Sequence, residues 1–392
     1  MQFELKNPTH IVFGVGQIAA LARLVSPASR VLLLYGGGSI KRNGVYDQVM
    51  AGLGHAEVTE FGGIETNPHY ETILKAAAKA RAAGVDLILA VGGGSVIDAA
   101  KFLASVIASG EDDPWDRLAA GRYPEKIVPV GCILTLPATG SESNAVSVIT
   151  STQRHLKIPF ANEAARPVFA IMDPSTMASL DRRQLANGAV DAFTHVLEQY
   201  LTVPENAPVQ HGFSEVLLRT LIEWGPKLLS DNTPEARETV MWAANQALNG
   251  LIGAGVKQDW STHMIGHAIT ALYDIDHART LTMVMPSLLR FKQGDKRAML
   301  ARYARNVWQV QESDDEKAAE AGIALTEDFF RRMGLPVRTT DMPPIVVSTS
   351  DVVDHLVRAG QTQLGEAGDI GPAAVRSVLE LAGQRAASSA AR

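Results

Sequence analysis

Asp191 and His195 are four residues apart in a segment whose apolar residues recur with helical spacing. Positions i and i+4 lie on one face of an α-helix, about 6 Å apart, a distance that one divalent metal ion can bridge. Both residues, with Glu198, fall opposite the apolar stripe of this helix, and such a face is commonly only solvated. The pair alone therefore leaves two alternatives open, a metal site and a wet helix face.

Three of the five histidines that follow in the C-terminal half of the chain lie close together in the sequence. His263 and His267 are again four residues apart, inside a mostly apolar segment, and His277 comes ten residues after His267. Buried histidines need polar partners, and imidazoles combined with a carboxylate suit zinc, iron or another first-row divalent ion. Spacing alone does not decide which four residues are ligands, although it favours the pair of His263 and His267.

Two glycine-rich loops in the N-terminal half follow predicted strands. The apolar runs 30–35 and 85–91 are each followed by Gly-Gly-Gly-Ser, at 36–39 and 92–95. Such runs are typical of strands buried on both faces of a parallel sheet, and the helix former-rich segment 72–83 between them predicts an α/β domain. Glycines admit a ligand close to the backbone, and a helix N-terminus offers free N–H groups to an anion. The loops predict a site for the phosphates of a dinucleotide, although neither matches a standard fingerprint and tight turns remain the alternative.

A third polar loop, at 134–144, follows another apolar run and is dense in small hydroxyl residues. Polar groups converge at strand ends in open α/β sheets, so Thr135, Thr139 and Ser141 are predicted to contact a ligand; an ordinary polar loop is the alternative. The run 168–174 predicts the last strand of this half. We place the domain boundary near residue 180, with a dinucleotide-binding α/β domain at 1–180 and an all-helical metal-binding domain at 181–392.

Composition narrows the class of protein. The 392 residues suggest about two domains, and the net charge of −6 argues against nucleic acid as a partner. The only cysteine, Cys132, excludes an intrachain disulfide and fits a reducing compartment. No apolar run approaches the roughly 20 residues of a membrane helix, and no signal peptide is apparent, so we expect a cytoplasmic protein without membrane contact.

The combined motifs resemble those of the iron-containing (group III) alcohol dehydrogenase family. The resemblance extends from about residue 8 to residue 385, and is greatest to the branch of NADPH-dependent aldehyde reductases and butanol dehydrogenases. The motifs that carry it are Gly92-Gly93-Gly94-Ser95-x-x-Asp98-x-x-Lys101, Thr135-x-Pro137-x-Thr139-Gly140-Ser141-Glu142, Asp191-x-x-x-His195, His263-x-x-x-His267 with His277, and, for the branch, Asn245-Gln246-Ala247-Leu248-Asn249-Gly250 and Gln258-Asp259-Trp260.

This resemblance implies a fold and a ligand set. It implies a dehydroquinate-synthase-like fold, with a Rossmann-type N-terminal domain, an all-helical C-terminal domain and the active site between them. It also implies a homodimer. One divalent ion, zinc or iron, is expected on Asp191, His195, His263 and His277. His267 is then expected to lie beside the metal as a catalytic residue, not as a ligand.

We predict NADP(H) as the cofactor. The loop 36–42 contains no carboxylate to repel a 2′-phosphate, while Ser39 and Lys41 can donate hydrogen bonds to it. The alternative is that Lys41 and Arg42 are solvated surface charges. By resemblance, Lys157 reaches the same region. The other predicted cofactor contacts are Gly37, Gly38, Gly93, Gly94, Ser95, Asp98, Thr135, Thr139 and Ser141.

These features predict hydride transfer between NADP(H) and a short-to-medium chain aldehyde or alcohol. A non-redox enzyme that binds NAD and metal on the same fold is the alternative. Its phosphate-bearing substrates need Lys or Arg around the metal, and the nearest in sequence are Lys257 and Arg279. A metal-free binding protein is a further alternative.

Overall fold

The computed structural model describes residues 2–203 and 206–384. The chain forms two compact units. One comprises Leu5–Gly188 together with Asp231–Gly250, and the other comprises residues 2–4, Ala189–Ser230 and the described chain from Leu251 onward. The domain limits of 1–180 and 181–392 stay a prediction.

The first unit is built on a six-stranded parallel sheet. The sheet consists of β1 (His10–Phe13), β2 (Arg30–Tyr35), β3 (Glu57–Phe61), β4 (Leu87–Gly93), β5 (Val130–Leu136) and β8 (Phe169–Met172). The strand order is β1-β8-β5-β4-β2-β3. The strands β2 and β4 are paired on both sides and almost fully buried, which explains their unbroken apolar sequences. The strands predicted from the runs at 30–35, 85–91 and 168–174 are confirmed.

A separate antiparallel hairpin of β6 (Val146–Ser151) and β7 (Leu156–Ala161) belongs to the same unit, and the sequence patterns did not predict it. The helix predicted at 72–83 is confirmed. The helices of this unit are α1 (Leu21–Leu24), α2 (Val45–Leu53), α3 (Tyr70–Ala82), α4 (Gly94–Ser109), α5 (Trp115–Ala119), the first part of α6 (Arg182–Tyr200) and α8 (Pro234–Ala247).

The second unit is helical throughout its regular elements. Phe193 packs against Phe329 and Phe330, with ring centroids 5.0 and 5.9 Å away, so the apolar stripe of α6 faces a buried aromatic core. Within the described ranges, no helix is both long and apolar enough to span a membrane. The unit contains the remainder of α6 and α7 (Pro208–Ser230), α9 (Ser261–Tyr273), α10 (His277–Phe291), α11 (Gln293–Asn306), α12 (Asp315–Arg332), α13 (Thr349–Arg358) and α14 (Pro372–Gly383).

One helix is shorter than the sequence predicts. The apolar segment 241–255 suggests a continuous buried helix, but α8 ends at Ala247 and turns follow. Gly250 adopts a φ of 100°, which lies outside helical backbone. The helical prediction for 248–255 is therefore wrong. The glycines of this segment end the helix, although its apolar residues continue beyond the helix end.

Candidate functional site

Three histidine nitrogens surround one carboxylate oxygen in the helical unit. Oδ1 of Asp191 lies 3.9 Å from Nε2 of His195, 3.9 Å from Nε2 of His263 and 3.8 Å from Nε2 of His277. These separations exceed hydrogen-bond length. Two atoms that bind one ion at about 2.0–2.2 Å are at most about 4.4 Å apart, so the separations fit ligands of a shared metal ion.

The donor set is chemically suited to a divalent ion. Potential ligand atoms of Asp191, His195 and His263 all lie within 4.8 Å of one another. His277 is placed beside them by its distance to Asp191. One carboxylate with neutral imidazoles is a combination that zinc and ferrous iron both accept. The residues present therefore fit the group that the sequence predicted.

Burial decides between the two alternatives for α6. Asp191 and His195 are each 3% exposed and Glu198 is 4% exposed, so this face of the helix is not solvated. The wet-face alternative is therefore wrong. Periodicity revealed one apolar face, but it cannot show that other helices also cover the polar face.

His277 reaches the cluster because of the turn between α9 and α10. The helix α9 ends at Tyr273, Asp274 takes the left-handed conformation with a φ of 52°, and α10 begins at His277. The chain thereby reverses and places His277 next to His263, with ring centroids 5.2 Å apart.

His267 lies beside this set and not within it. Its ring stacks on His277 at a centroid distance of 4.9 Å, and it meets His263 edge-on at 6.1 Å. Among the described residues, the group whose ligand atoms lie mutually close contains neither His267 nor His277, and His277 differs by its Nε2 atom, which lies 3.8 Å from Oδ1 of Asp191. The assignment of His277 as a ligand and of His267 as a neighbour stays a prediction.

Glu198 is a buried partner of the cluster to which sequence reasoning assigned no role. Its Oε2 hydrogen-bonds Nδ1 of His263, and its Oε1 accepts a 2.6 Å hydrogen bond from the backbone N–H of Thr262. Burial raises the pKa of Glu198 well above its usual range and Asp259 adds to the shift, whereas the hydrogen bonds of Thr262 oppose it. A cation held at Nε2 of His263 lowers the pKa of Glu198, as the hydrogen bonds of Thr262 do, because it favours the ionised carboxylate.

A buried ion-pair network lies behind Glu198. The carboxylate of Asp259 pairs with the ammonium of Lys296, which also donates to the carbonyl of Leu201 at 2.7 Å and to Glu366 at 3.1 Å. Burial opposes charge on Asp259, yet the nearby Lys296 holds the pKa of Asp259 below its usual value. The only sequence signal for this network was the Gln258-Asp259-Trp260 motif.

Trp260 covers one side of the histidines. Its ring lies 5.2 Å from His263 and 6.1 Å from His195, and its indole N–H donates to Gln258 at 2.8 Å. Trp260 itself adopts a φ of 63° at the start of α9. An indole in this position provides an apolar wall next to the polar cluster.

The predicted nucleotide loops lie at the carboxyl ends of neighbouring strands in the sheet unit. Tyr35 of β2 is in register with Val91 of β4, so both Gly-Gly-Gly-Ser loops leave the sheet at the same level. The helix α4 begins at Gly94 and directs its first N–H groups toward this edge. A Cβ on Gly94 would lie 2.4 Å from Oγ1 of Thr139, so the second and third loops are in close contact.

Asp98 and Ser141 hold these loops together. The hydroxyl of Ser141 donates to Oδ1 of Asp98, and the backbone N–H of Val148 donates to Oδ2 at 2.9 Å. The buried ammonium of Lys101 donates to the carbonyls of Ser141 at 3.0 Å and Asn144 at 3.3 Å. Burial lowers the pKa of Lys101 to about 8, although Asp98 opposes the shift. Lys101 belongs to a motif recognised in the sequence, but the motif itself does not indicate this role.

Lys157 and Ser95 meet through a shared neighbour. The ammonium of Lys157 donates to Oδ1 of Asn67 at 2.8 Å, and the backbone N–H of Asn67 donates to the hydroxyl of Ser95 at 3.4 Å. Thr135 lies in β5 at the base of the third loop. The hairpin strand β7 thus brings Lys157 to the second Gly-Gly-Gly-Ser loop.

Lys41 has a carboxylate partner that the sequence analysis missed. Gly38, with a φ of 84°, precedes a 3-10 turn over Ser39–Lys41. The ammonium of Lys41 lies 2.7 Å from Oε2 of Glu60, in the strand β3. The loop 36–42 itself lacks acidic residues as predicted, but Glu60 is far away in sequence and reaches the loop because β3 pairs with β2. Gly37 lies in the same loop.

The chain is similar to known proteins over nearly its whole length. The family model for "Iron-containing alcohol dehydrogenase" matches residues 8–174. The model for "Fe-containing alcohol dehydrogenase family, C-terminal" matches residues 185–355. The NADPH-dependent aldehyde reductase YqhD of Escherichia coli (strain K12) is 47% identical over 97% of this chain and 99% of its own length. Its crystal structure superposes with a TM-score of 0.95, covering 97% of this chain and 98% of that one.

Two further relatives are described as using the other nicotinamide cofactor. The "Probable NADH-dependent butanol dehydrogenase 1" of Bacillus subtilis (strain 168) is 40% identical over 86% of this chain and 89% of its own. The crystal structure of NADH-dependent butanol dehydrogenase A from Thermotoga maritima matches with a TM-score of 0.91 and 33% identity, covering 98% of this chain and 99% of that one. The predicted resemblance and fold class are confirmed.

Proposed function

Because this chain belongs to the iron-containing alcohol dehydrogenase family, we propose that it reduces aldehydes with NADPH, and oxidises the corresponding alcohols with NADP⁺, at one divalent metal ion. The chain is thus an oxidoreductase of the metal-dependent alcohol dehydrogenase class. Short-to-medium chain aldehydes are the proposed substrates.

The arrangement of Asp191 with three histidines carries this proposal. The three Nε2 atoms lie 3.8–3.9 Å from Asp191 Oδ1, in a setting where Asp191, His195 and His263 are almost fully buried. We propose Asp191, His195, His263 and His277 as the ligands of zinc or iron. When bound, the ion supplies Lewis acidity toward the aldehyde oxygen, and NADPH supplies the hydride.

The protein's own residues supply orientation and exclude water. The carboxylate of Asp191 offsets one of the ion's two charges in a buried site, and the imidazoles add no charge of their own. The indole of Trp260 shields the side of His195 and His263 that it covers. Excluding water there strengthens each electrostatic interaction at the site.

His267 is proposed to move the proton. Reduction of an aldehyde requires one proton at the former carbonyl oxygen, and a histidine is suited to donate it near neutral pH. His267 is 6% exposed and its ring stacks on His277 at 4.9 Å, which supports a role next to the proposed ligands.

The residues of the predicted nucleotide loops support NADP(H), rather than NAD(H), as the proposed cofactor. Ser39 and Lys41 follow β2 at the sheet edge where a dinucleotide binds in such folds, and the side chain of Lys41 is 42% exposed. An exposed ammonium can donate to a 2′-phosphate, which NADH lacks. The N-terminus of α4, with Gly93, Gly94 and Ser95, is the proposed pyrophosphate site.

An assay combining metal analysis and turnover tests the proposal. Purified protein is analysed for zinc and iron, and NADPH oxidation is followed with a series of linear aldehydes. We expect close to one ion per chain and aldehyde-dependent oxidation that a chelator abolishes and added metal restores. Metal-loaded protein that oxidises no NADPH with any aldehyde, while converting a phosphate-bearing substrate without net redox change, would favour the non-redox alternative.

A homodimer in the cytoplasm completes the proposal. The sole cysteine, Cys132, is buried, and burial raises the pKa of its thiol, as suits an unreactive thiol in a reducing compartment. Light scattering coupled to gel filtration measures the assembly, and a mass of one chain contradicts the dimer.

A further inference from the structure

We propose that Glu198 is a positioning residue that fixes His263 in the one tautomer able to bind metal through Nε2. This inference rests on the proposed function, because it concerns the metal site of that same reaction. It assigns a role to a carboxylate that neither binds the ion nor touches substrate.

The hydrogen bond between the Glu198 and His263 side chains selects the tautomer of His263. A neutral imidazole carries one proton, on either Nδ1 or Nε2, and only the bare nitrogen binds metal. Glu198 Oε2 bonds Nδ1 of His263, while Nε2 of the same ring faces Asp191 Oδ1 at 3.9 Å. A carboxylate that accepts from Nδ1–H leaves the lone pair of Nε2 directed at the metal position.

The second oxygen of Glu198 fixes the carboxylate itself. Oε1 accepts a 2.6 Å hydrogen bond from the backbone N–H of Thr262, a donor in the first turn of α9. Glu198 therefore bonds the first turn of α9 at two points, through a main-chain donor and a ring donor one residue apart. This bidentate contact determines the rotation of His263 about its side-chain bonds as well as its tautomer.

The ion-pair network keeps α6 and α9 at the distance this contact requires. The backbone N–H of Asp259 donates to the carbonyl of Glu198 at 2.9 Å, and Oδ1 of Asp259 accepts from the N–H of Ser261 at 2.9 Å. Lys296 pairs with Asp259 and donates to the carbonyl of Leu201 at 2.7 Å. One ammonium thus links the end of α6 to the start of α9.

The helix α6 carries Glu198 together with two of the proposed metal ligands. Glu198 is three residues after His195 and seven after Asp191, so all three lie on one face of α6. The helix therefore carries two proposed ligands directly, and controls a third, His263, through Glu198.

The substitution Glu198→Gln tests the role with almost no change in volume. A glutamine has an N–H₂ donor in place of one of the two carboxylate oxygens, so it cannot accept from Thr262 and His263 at both of the positions that Oε1 and Oε2 occupy. We expect the dissociation constant for Zn²⁺, measured by competition with a chromogenic chelator, to rise about 10–100-fold.

Glu215→Gln is the matched control. Glu215 is another buried carboxylate of the helical unit, and it accepts hydrogen bonds from Tyr200 at 2.8 Å and from Arg302 at 2.7 Å. Both variants lose a buried carboxylate and are expected to melt at a lower temperature, but only Glu198→Gln should lose Zn²⁺ affinity. Equal Zn²⁺ affinity of both variants and the wild type overturns the inference.

A measurement on the unaltered protein covers the case in which Glu198→Gln does not fold. NMR spectra of the Zn²⁺-loaded wild type, labelled with ¹⁵N-histidine, report which ring nitrogen of each histidine carries the proton. We expect His263, assigned by comparison with a His263→Gln sample, to carry it on Nδ1. Coordination of His263 through Nδ1 contradicts the role of Glu198. A wild type that binds no Zn²⁺ or Fe²⁺ overturns the proposed function itself, a result distinct from either outcome for Glu198.

Discussion

The ammonium of Lys41 and the carboxylate of Glu60 form an ion pair of 2.7 Å at the edge of the sheet. The hydroxyls of Tyr35 and Tyr46 donate to the same carboxylate, at 3.0 and 2.6 Å. Hydrogen bonds from Lys41 and Tyr46 hold the pKa of Glu60 below its usual value, so it is charged at neutral pH. The 2′-phosphate that we propose Lys41 binds would share its ammonium with Glu60, and we therefore expect cofactor preference to depend on both residues.

Replacing Lys41 by alanine is expected to reduce the preference for NADPH. The value of kcat/KM for NADPH should fall about tenfold, because a charge-assisted hydrogen bond at a partly exposed site is lost. The value for NADH should stay nearly unchanged, since NADH has no 2′-phosphate. Arg42→Ala, at the neighbouring exposed position, is the control. An equal loss of kcat/KM with both cofactors in Lys41→Ala would contradict the assignment.

Glu60→Gln is expected to act in the opposite direction. It removes a negative charge next to the phosphate position while keeping an acceptor for Lys41, so the NADPH to NADH ratio of kcat/KM should rise about threefold at low salt. The gain should shrink as ionic strength increases. A ratio that falls would show that Glu60 serves mainly to hold Lys41 in place.

The exchange of His267 for alanine separates turnover from metal binding. We expect kcat to fall at least about 100-fold, the usual contribution of a general acid, while metal content stays near one ion per chain. His263→Ala, which removes a proposed ligand, should lose both. Loss of metal in the His267 variant would make His267 a ligand.

The metal set shows what sequence motifs can and cannot determine. The right residue types could be selected from spacing, but spacing alone paired His263 with His267. The turn at Asp274 places Nε2 of His277 3.8 Å from Oδ1 of Asp191, and only resemblance to a family indicates His277 as a ligand. Helical periodicity describes one element at a time, whereas the turn that joins α9 to α10 decides which histidines meet.

Contacts between distant segments were the part that the sequence could not predict. Glu60 reaches Lys41 because β3 pairs with β2, and Glu198 reaches His263 because α6 packs beside α9. The strands β2 and β4 were predictable because burial on both faces leaves a continuous apolar run. No comparable signal marks a single carboxylate that becomes buried against a histidine.

Lys101→Met tests the buried lysine of the sheet unit through the pH dependence of stability. Burial lowers the pKa of Lys101 from 10.5 to about 8 in the folded protein. Between these values the unfolded chain binds more protons than the folded chain, so this group makes stability rise with pH across that window. Below about pH 8 both states are protonated and the contribution is constant.

The wild type should therefore become more stable relative to Lys101→Met between pH 8 and pH 10, as measured by urea unfolding. At neutral pH the variant should be destabilised by about 2–4 kcal/mol, because Asp98 and several carbonyls lose their buried partner. Lys75→Met, at an exposed position on α3, is the control and should show neither effect. A stability difference that stays constant with pH would mean that Lys101 titrates outside this window.

Gly94→Ala tests the contact between the second and third nucleotide loops. A Cβ at Gly94 would lie 2.4 Å from Oγ1 of Thr139, which accepts the 3.3 Å hydrogen bond of the Ser141 N–H. Thr139 must move, and the loop that carries Ser141 must move with it. We expect KM for NADPH to rise about tenfold or more, since about 1.4 kcal/mol of lost binding free energy corresponds to a tenfold change, with metal content unchanged.

Gly212→Ala is the matched control, because a Cβ there meets no atom within 4 Å, and it should leave KM for NADPH unaltered. Relief of the defect by adding Thr139→Ala to Gly94→Ala would trace it to this contact, whereas a loss of metal would point to a wider disturbance of the fold.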